Sequence, residues 1–219
     1  MFYQSNISFF LENESIKADL SSFDSILTPS PAELSEIAKK LNISIDRLVN
    51  KDLTTDCYQK AKKIKLLILD VDGVMTDGGM YFTENGDQFK KYNTKDGMGI
   101  IHLTKKDFQI GIISSGFKGE AVKQRAELLG IQNFYLGRGK KIDVLQEWCT
   151  KMNITLEEVA MIGDDINDFE VMNSIGLSAC PKNAISKIKN ISDIILGANG
   201  GEGCVREFIN EYLDQNVVY

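Results

Sequence analysis

Two acidic clusters carry the chemistry this sequence is equipped for. The first is Asp70-Val71-Asp72-Gly73-Val74, which follows the apolar run Leu66-Leu67-Ile68-Leu69. The second is Gly163-Asp164-Asp165-Ile166-Asn167-Asp168, which follows Val159-Ala160-Met161-Ile162. Each run reads as a buried strand, so both sets of carboxylates stand at strand ends, where open parallel sheets bind ligands. Carboxylates gathered there repel one another unless a cation lies between them. Oxygen-only ligands favour magnesium, which keeps waters and takes further ligands from a substrate phosphate. Taken singly, either cluster also fits a solvated acidic turn. A calcium loop of the EF-hand type fails for the first, because a strand precedes it and Tyr81 stands where the bidentate Glu belongs.

Two further side chains suit a phosphoryl group. Ser114 follows the apolar stretch 110–113, and Lys141 opens a helix after Gly137-Arg138-Gly139-Lys140. A hydroxyl and an ammonium at neighbouring strand ends can bond phosphoryl oxygens. The ammonium also offsets the charge that would repel an attacking carboxylate. Read one at a time, Ser114 is a helix cap and Lys141 a surface lysine.

The elements that position these residues are legible from Lys65 onward. Apolar stretches at 65–69, 109–113, 134–136, 159–162, 177–179 and 193–196 alternate with amphipathic segments such as 119–129 and 141–152. Near-continuous apolar strands separated by helices predict an α/β fold, a Rossmann-like parallel sheet with helices on both faces. A hairpin of 80–83 and 88–92 follows the first strand, closed at Asn85-Gly86. Before residue 60 the chain reads as short helices. Ser30-Pro31-Ala32-Glu33 is a helix start with a capping box, and Ser44 caps a second short helix. The stretch 30–53 resembles the closing helices of a repressor-type helix-turn-helix domain. Residues 1–29, which would carry the recognition helix, contain few basic side chains. The expected division is a small helical unit at 1–60 and a catalytic domain at 61–219, with packing or oligomerisation as the role of the first.

Bulk properties narrow the function further. The chain has 219 residues and a net charge of −6, a poor match to nucleic acid or an anionic membrane. No apolar run approaches the roughly 18 residues a membrane span needs. The N-terminal MFYQSNISFFLENES has no basic segment ahead of an apolar core, so no signal peptide is expected and the protein is read as cytoplasmic. The four cysteines, Cys57, Cys149, Cys180 and Cys204, are scattered and read as reduced thiols. With His102 as the single histidine, a zinc site is not expected.

In combination, DVDGV, Ser114, Lys141 and GDDIND resemble the four motifs of the haloacid dehalogenase superfamily of phosphatases, in order and over residues 63–210. The resemblance implies that Asp70 attacks phosphorus and becomes an aspartyl-phosphate. It implies that Asp72 protonates the leaving alkoxide and then activates water. Magnesium would be held by the Asp70 carboxylate, the Asp72 carbonyl and Asp164, with Asp165 and Asp168 in support. The short spacings from Asp72 to Ser114 and from Lys141 to Asp164 leave no room for a cap domain.

DVDGVMTDG, the hairpin, FKKYNTKDGMGI and GGEGCVREF are similar to the cap-less subgroup of that superfamily, which includes phosphatases of 3-deoxy-D-manno-octulosonate 8-phosphate (KDO 8-phosphate). That similarity implies a homotetramer acting on a phosphorylated sugar acid in lipopolysaccharide biosynthesis. It places Lys95, Arg206, Asp77 and Gly116 at the substrate, within or across subunits. Exposed or structural roles for Lys95, Arg206, Asp77 and Asp96 stay open. Two departures bear on the substrate. Ser114-Ser115-Gly116-Phe117-Lys118 stands where relatives read Thr-Gly-Arg, and Glu202 stands where a basic residue is common. Phosphatases of nine-carbon acids, such as N-acylneuraminate 9-phosphate, are therefore the rival reading. A non-catalytic regulatory or scaffold protein is the rival from another class, opposed by the intact motifs.

Overall fold

The computed structural model describes residues 3–11, 16–17, 20–21, 26–41, 45–50, 55–85, 88–116 and 119–214. Helices whose bounds lie among the described residues come first: α1 (Tyr3–Leu11), α2 (Pro31–Leu41), α3 (Ile45–Asn50) and α4 (Thr55–Ala61). The capping box at the start of α2 is formed: the Ser30 N–H donates to Glu33 Oε2 at 2.7 Å, and the Glu33 N–H donates to Ser30 Oγ at 3.4 Å. The expected cap at Ser44 lies outside the described residues.

A six-stranded sheet follows. Its strands are β1 (Leu66–Leu69), β4 (Gln109–Ser114), β5 (Asn133–Leu136), β6 (Val159–Ile162), β7 (Leu177–Cys180) and β8 (Ile194–Ile195), in the order β5-β4-β1-β6-β7-β8. Every pairing in it is parallel. Between β1 and β4 lie the two-stranded hairpin β2 (Tyr81–Phe82) and β3 (Gln88–Phe89) and the helix α5 (Thr94–Thr104). The hairpin strands are shorter than the sequence predicts, and Gly86 of its closing turn lies outside the described residues. Then come α6 (Glu120–Leu128), α7 (Lys141–Met152), α8 (Phe169–Met172), α9 (Ser186–Lys189) and α10 (Cys204–Phe208), which runs on into a π-helical turn at Ile209–Leu213.

The pleat sorts side chains to opposite faces. Leu67, Leu69, Ile110, Ile112, Ala160 and Ile162 pack against α4, α5, α6 and α10. Leu66, Ile68, Ile113, Val159 and Met161 pack on the other face, against α7 and α8. All of β1, β6 and β7 is buried, which is why these strands read as unbroken apolar runs. Because neighbouring strands run the same way, the residues that follow β1, β4 and β6 emerge at one edge. Strand β1 is central, and its register with β6 sets Leu69 beside Ile162, so Asp70 and Asp164 leave the sheet side by side.

The N-terminal helices share the core. Ile7, Phe10, Ile37, Leu41 and Leu48 belong to the same buried cluster as Leu66, Ile68 and Leu145. Asn6 is fully buried and donates from Nδ2 to the Leu48 carbonyl at 2.8 Å, which ties α1 to α3. Phe9 meets Tyr58 edge-on, and Tyr58 stacks on Tyr212 of the C-terminal turn. Replacement of Phe10 by Ala should therefore cost about 3–5 kcal/mol. Calorimetry should show one cooperative transition moved to lower temperature. An early separate transition with the main one unmoved would mean that the helices unfold on their own.

Candidate active site

The site forms around Asp70, at the end of the central strand and only 3% exposed. Its N–H continues the ladder to the Ile162 carbonyl at 3.1 Å, which fixes the backbone from which the carboxylate projects. Lys141, the first residue of α7, is 5% exposed and reaches in from the neighbouring crossover. Its ammonium lies 2.9 Å from Asp70 Oδ1 and 2.6 Å from Asp168 Oδ1. Asp168 is fully buried, and its Oδ2 accepts the N–H groups of Asp164 at 3.0 Å and Asp165 at 3.4 Å. Both oxygens of Asp168 are therefore engaged, and its role is to hold Lys141 and the turn after β6 in place.

Asp70, Asp164 and Asp168 bring carboxylate oxygens within 4.8 Å of one another. Asp164 Oδ1 is buried with no hydrogen-bond partner. A buried carboxylate oxygen left without a donor is costly unless a cation meets it. This orphan, beside the Asp70 carboxylate, fits a hard divalent ion with oxygen ligands. Asp165, expected in support of the metal, accepts the Ile166 N–H on Oδ1 at 2.6 Å and caps the 3-10 turn Ile166–Asp168. The third carboxylate of the cluster is Asp168.

The electrostatics follow from burial. Desolvation pushes the Asp70 carboxyl up to about 7; repulsion from Asp168 adds to this, and Lys141 opposes it. Asp164 is pushed up to about 8, first by burial and then by Asp70, Asp168 and Asp165. For Lys141, burial pulls the pKa down, but Asp70 and Asp168 together outweigh it and the net direction is up.

The chain between β1 and β2 is shaped by close approach. Gly73 has φ +85°, and a Cβ there would lie 2.0 Å from Asp164 Oδ2. Only glycine lets the first acidic turn pass so close to the second. The C-terminal loop closes on the same turn from the other side. A Cβ at Gly200 would lie 1.8 Å from the Gly73 carbonyl oxygen, and the Gly201 N–H donates to the Val74 carbonyl at 2.9 Å. This contact accounts for the glycine pair in GGEGCVREF.

A cleft of about 250 Å³ opens over these residues, lined by Asp70, Asp72, Met80, Ser114, Ser115, Gly116, Asp164, Asp165 and Asn167. Asp70, Asp72, Ser114, Lys141, Asp164, Asp165, Asp168 and Gly116 are thus gathered as the sequence predicts. Lys95, Arg206 and Asp77 do not line the cleft. Lys95 is exposed on the first turn of α5, and Arg206 Nε donates to Asn210 Oδ1 at 2.8 Å. Asp77 accepts the Gly79 N–H at 3.0 Å and pairs with Lys91 at 3.1 Å; both interactions hold its carboxyl below the usual range. Asp96 accepts the Arg206 N–H at 2.7 Å and is pushed up to about 6 by burial, so it docks α10 onto α5. Lys118 lies outside the described residues.

Sequence reasoning missed Lys90, whose ammonium contacts Asp72 Oδ1. The signal was the pair Lys90-Lys91 in the segment read from the sequence as the hairpin's second strand: in extended chain adjacent side chains point to opposite sides, so one of the two can turn toward the first acidic cluster. It also missed Asn167, whose Nδ2 donates to Ser115 Oγ at 3.5 Å and bridges two walls of the cleft.

Comparison with known proteins places this geometry in a family. Residues 133–209 match the model of the haloacid dehalogenase-like hydrolases. The 3-deoxy-D-manno-octulosonate 8-phosphate phosphatase KdsC of Escherichia coli strain K12 is 38% identical over 155 residues, 71% of this chain and 82% of that protein. The crystal structure of a probable YrbI family phosphatase from Pseudomonas syringae aligns with a TM-score of 0.69 at 40% identity, over 71% of this chain and 88% of that one. The KDO 8-phosphate phosphatase of Moraxella catarrhalis, solved with magnesium, phosphate and KDO, aligns with a TM-score of 0.69 at 33% identity, over 71% of this chain and 89% of that one. The chain belongs to the haloacid dehalogenase-like hydrolases, in the family of the 3-deoxy-D-manno-octulosonate 8-phosphate phosphatases.

Proposed function

We propose that this protein is a magnesium-dependent phosphoric monoester hydrolase that converts KDO 8-phosphate to KDO and phosphate through an aspartyl-phosphate on Asp70. The observation that carries the reading is the pairing of Asp70 with Lys141 at 2.9 Å beside the unpartnered Asp164 Oδ1, at the carboxyl ends of the strands of a parallel sheet. The relatives' names supply the sugar acid.

Asp70 and Asp164 are the carboxylates with capacity left for magnesium, and the Asp72 carbonyl completes the protein's share. When bound, the ion supplies Lewis-acid stabilisation of the phosphoryl oxygens. The Asp70 carboxylate attacks phosphorus, and its fixed backbone holds it in line. Lys141 and Ser114 take the phosphoryl oxygens and offset the negative charge that would turn the nucleophile away. Asp72 gives a proton to the departing alkoxide and then takes one from the water that cleaves the intermediate.

The cleft has no cap of its own. Met80, Tyr81, Phe82 and Phe89 of the hairpin are 55–61% exposed, a cluster of apolar side chains beside the mouth of the site. A second copy of the chain seated there would cover them, and the reading includes a homotetramer that brings Lys95 or Arg206 of one subunit toward the site of another. The helices of residues 1–60 act as a packing module, since their apolar faces are spent on the shared core rather than on a nucleic acid. Among the described residues, no helix is long and apolar enough to cross a membrane. Glu202, an acid in the loop that closes on the catalytic turn, accepts from Asn199 Nδ2 at 3.0 Å. That acid keeps a nine-carbon acid phosphate as the second reading.

A panel of eight- and nine-carbon keto-deoxy acid phosphates with magnesium, followed by phosphate release, is expected to give the highest kcat/KM for KDO 8-phosphate. No turnover of any member would sink the proposal. Asp70→Asn should lower kcat by more than about a thousandfold while leaving the unfolding temperature within a few degrees. Retained turnover would remove Asp70 as the nucleophile.

Magnesium binding should depend on pH with a definite sign. Asp70 and Asp164 hold protons in the metal-free fold up to about 7 and about 8, whereas unfolded aspartates lose theirs near 3.9. The metal-free fold therefore loses stability as pH rises through that window. Magnesium competes with those protons, so the rise in Tm it produces should be larger at pH 8 than at pH 6. A rise that is equal or reversed between the two would show that these carboxylates are not its ligands.

A further inference from the structure

Asp72 differs from the other acids of the site. Asp70, Asp168 and Lys141 are almost wholly buried and brace one another, whereas the Asp72 side chain is 38% exposed on the turn after β1. A half-exposed aspartate has rotamer freedom, and a proton donor must be held in place to act. The group that meets it comes from the hairpin. Lys90 follows β3, and its side chain is only 9% exposed although the Phe89 beside it is 61% exposed. Its ammonium contacts Asp72 Oδ1. The next residue, Lys91, turns the other way and pairs with Asp77 at 3.1 Å. Two adjacent lysines thus tie the return strand of the hairpin to the catalytic turn, one inside the site and one outside it.

We infer that Lys90 is a positioning residue for the proton transfer: it holds Oδ1 of Asp72 so that Oδ2 faces the leaving oxygen. The inference rests on the functional reading above. In the first step a bond forms between an Asp70 oxygen and phosphorus, the bond from phosphorus to the leaving oxygen breaks, and that oxygen takes the proton of Asp72. In the second step water attacks phosphorus, gives a proton back to Asp72, and releases Asp70 and phosphate. Lys90 neither gives nor takes a proton. Its part is to aim Asp72, so it weighs most where the leaving group needs that proton. A sugar alkoxide needs it; a nitrophenolate, a far weaker base, leaves without it.

This difference supplies the test. Wild type, Lys90→Met and Lys90→Arg are assayed with magnesium on KDO 8-phosphate and on 4-nitrophenyl phosphate. Lys90→Met should lose on the order of 10- to 100-fold in kcat on the sugar phosphate, with KM changed less than about threefold, and less than about threefold in kcat on the aryl phosphate. Lys90→Arg should recover most of the loss, because a guanidinium can hold the same oxygen. The magnesium-dependent rise in Tm checks that the variant is folded; should Lys90→Met lack it, Lys90→Gln replaces it in the same comparison. Equal losses on both substrates would reduce Lys90 to general support and overturn the inference. A raised KM at constant kcat would make it a substrate contact, which also overturns it. Wild-type inactivity on every sugar phosphate would instead overturn the functional reading.

Discussion

The site depends on gathering like charges where water is scarce. Asp70, Asp164 and Asp168 share one small volume at the carboxyl ends of the central strands, with oxygens within 4.8 Å of one another. Burial and mutual repulsion both favour the protonated forms, as the raised Asp70 and Asp164 carboxyls record. Lys141 supplies one compensating charge and divides it between Asp70 and Asp168. Two backbone N–H groups complete Asp168. What is left over is the unpartnered oxygen of Asp164, a deficit of positive charge that a cation can fill.

Several features that take no part in the chemistry serve that arrangement. Gly73 lets one acidic turn lie against the other, and Gly200 lets the C-terminal loop lie against Gly73. Asp96 fixes α10 to α5 through the Arg206 N–H. Glu207 of α10 accepts the N–H groups of Gly197 and Ala198 at 2.8 and 2.9 Å, which pins the start of the same loop. The catalytic turn is therefore clamped between the sheet, the second acidic turn and the C-terminal segment. Such rigidity is what preorganised electrostatics requires, because a site that had to reorganise during the reaction would lose much of the gain.

The hairpin is built on the opposite plan. It has two residues in each strand, and its apolar side chains face outward. Its links to the site are ionic, through Lys90 and Lys91. A short, exposed ribbon is marginal by itself and gains stability from whatever packs on it. In the proposed assembly and mechanism, one element would serve both subunit packing and the alignment of Asp72.

The sequence by itself determined the sheet, its parallel sense, and the ends at which Asp70, Ser114 and Asp164 emerge. Strands buried on both faces are written as unbroken apolar runs, and the acids that follow them mark their exits. The capping box of α2 and the start of α7 at Lys141 were legible for the same reason: local rules with short reach. What only the tertiary structure decided is how side chains divide among partners. Asp164, Asp165 and Asp168 are near neighbours in sequence, yet one is left open to a cation, one caps its own turn, and one is saturated by Lys141 and two N–H groups. Lys90 and Lys91 are adjacent, yet in the fold one meets Asp72 and the other Asp77. Those outcomes depend on burial and on distances of a few ångströms between segments far apart in the chain, and neither residue type nor spacing encodes them.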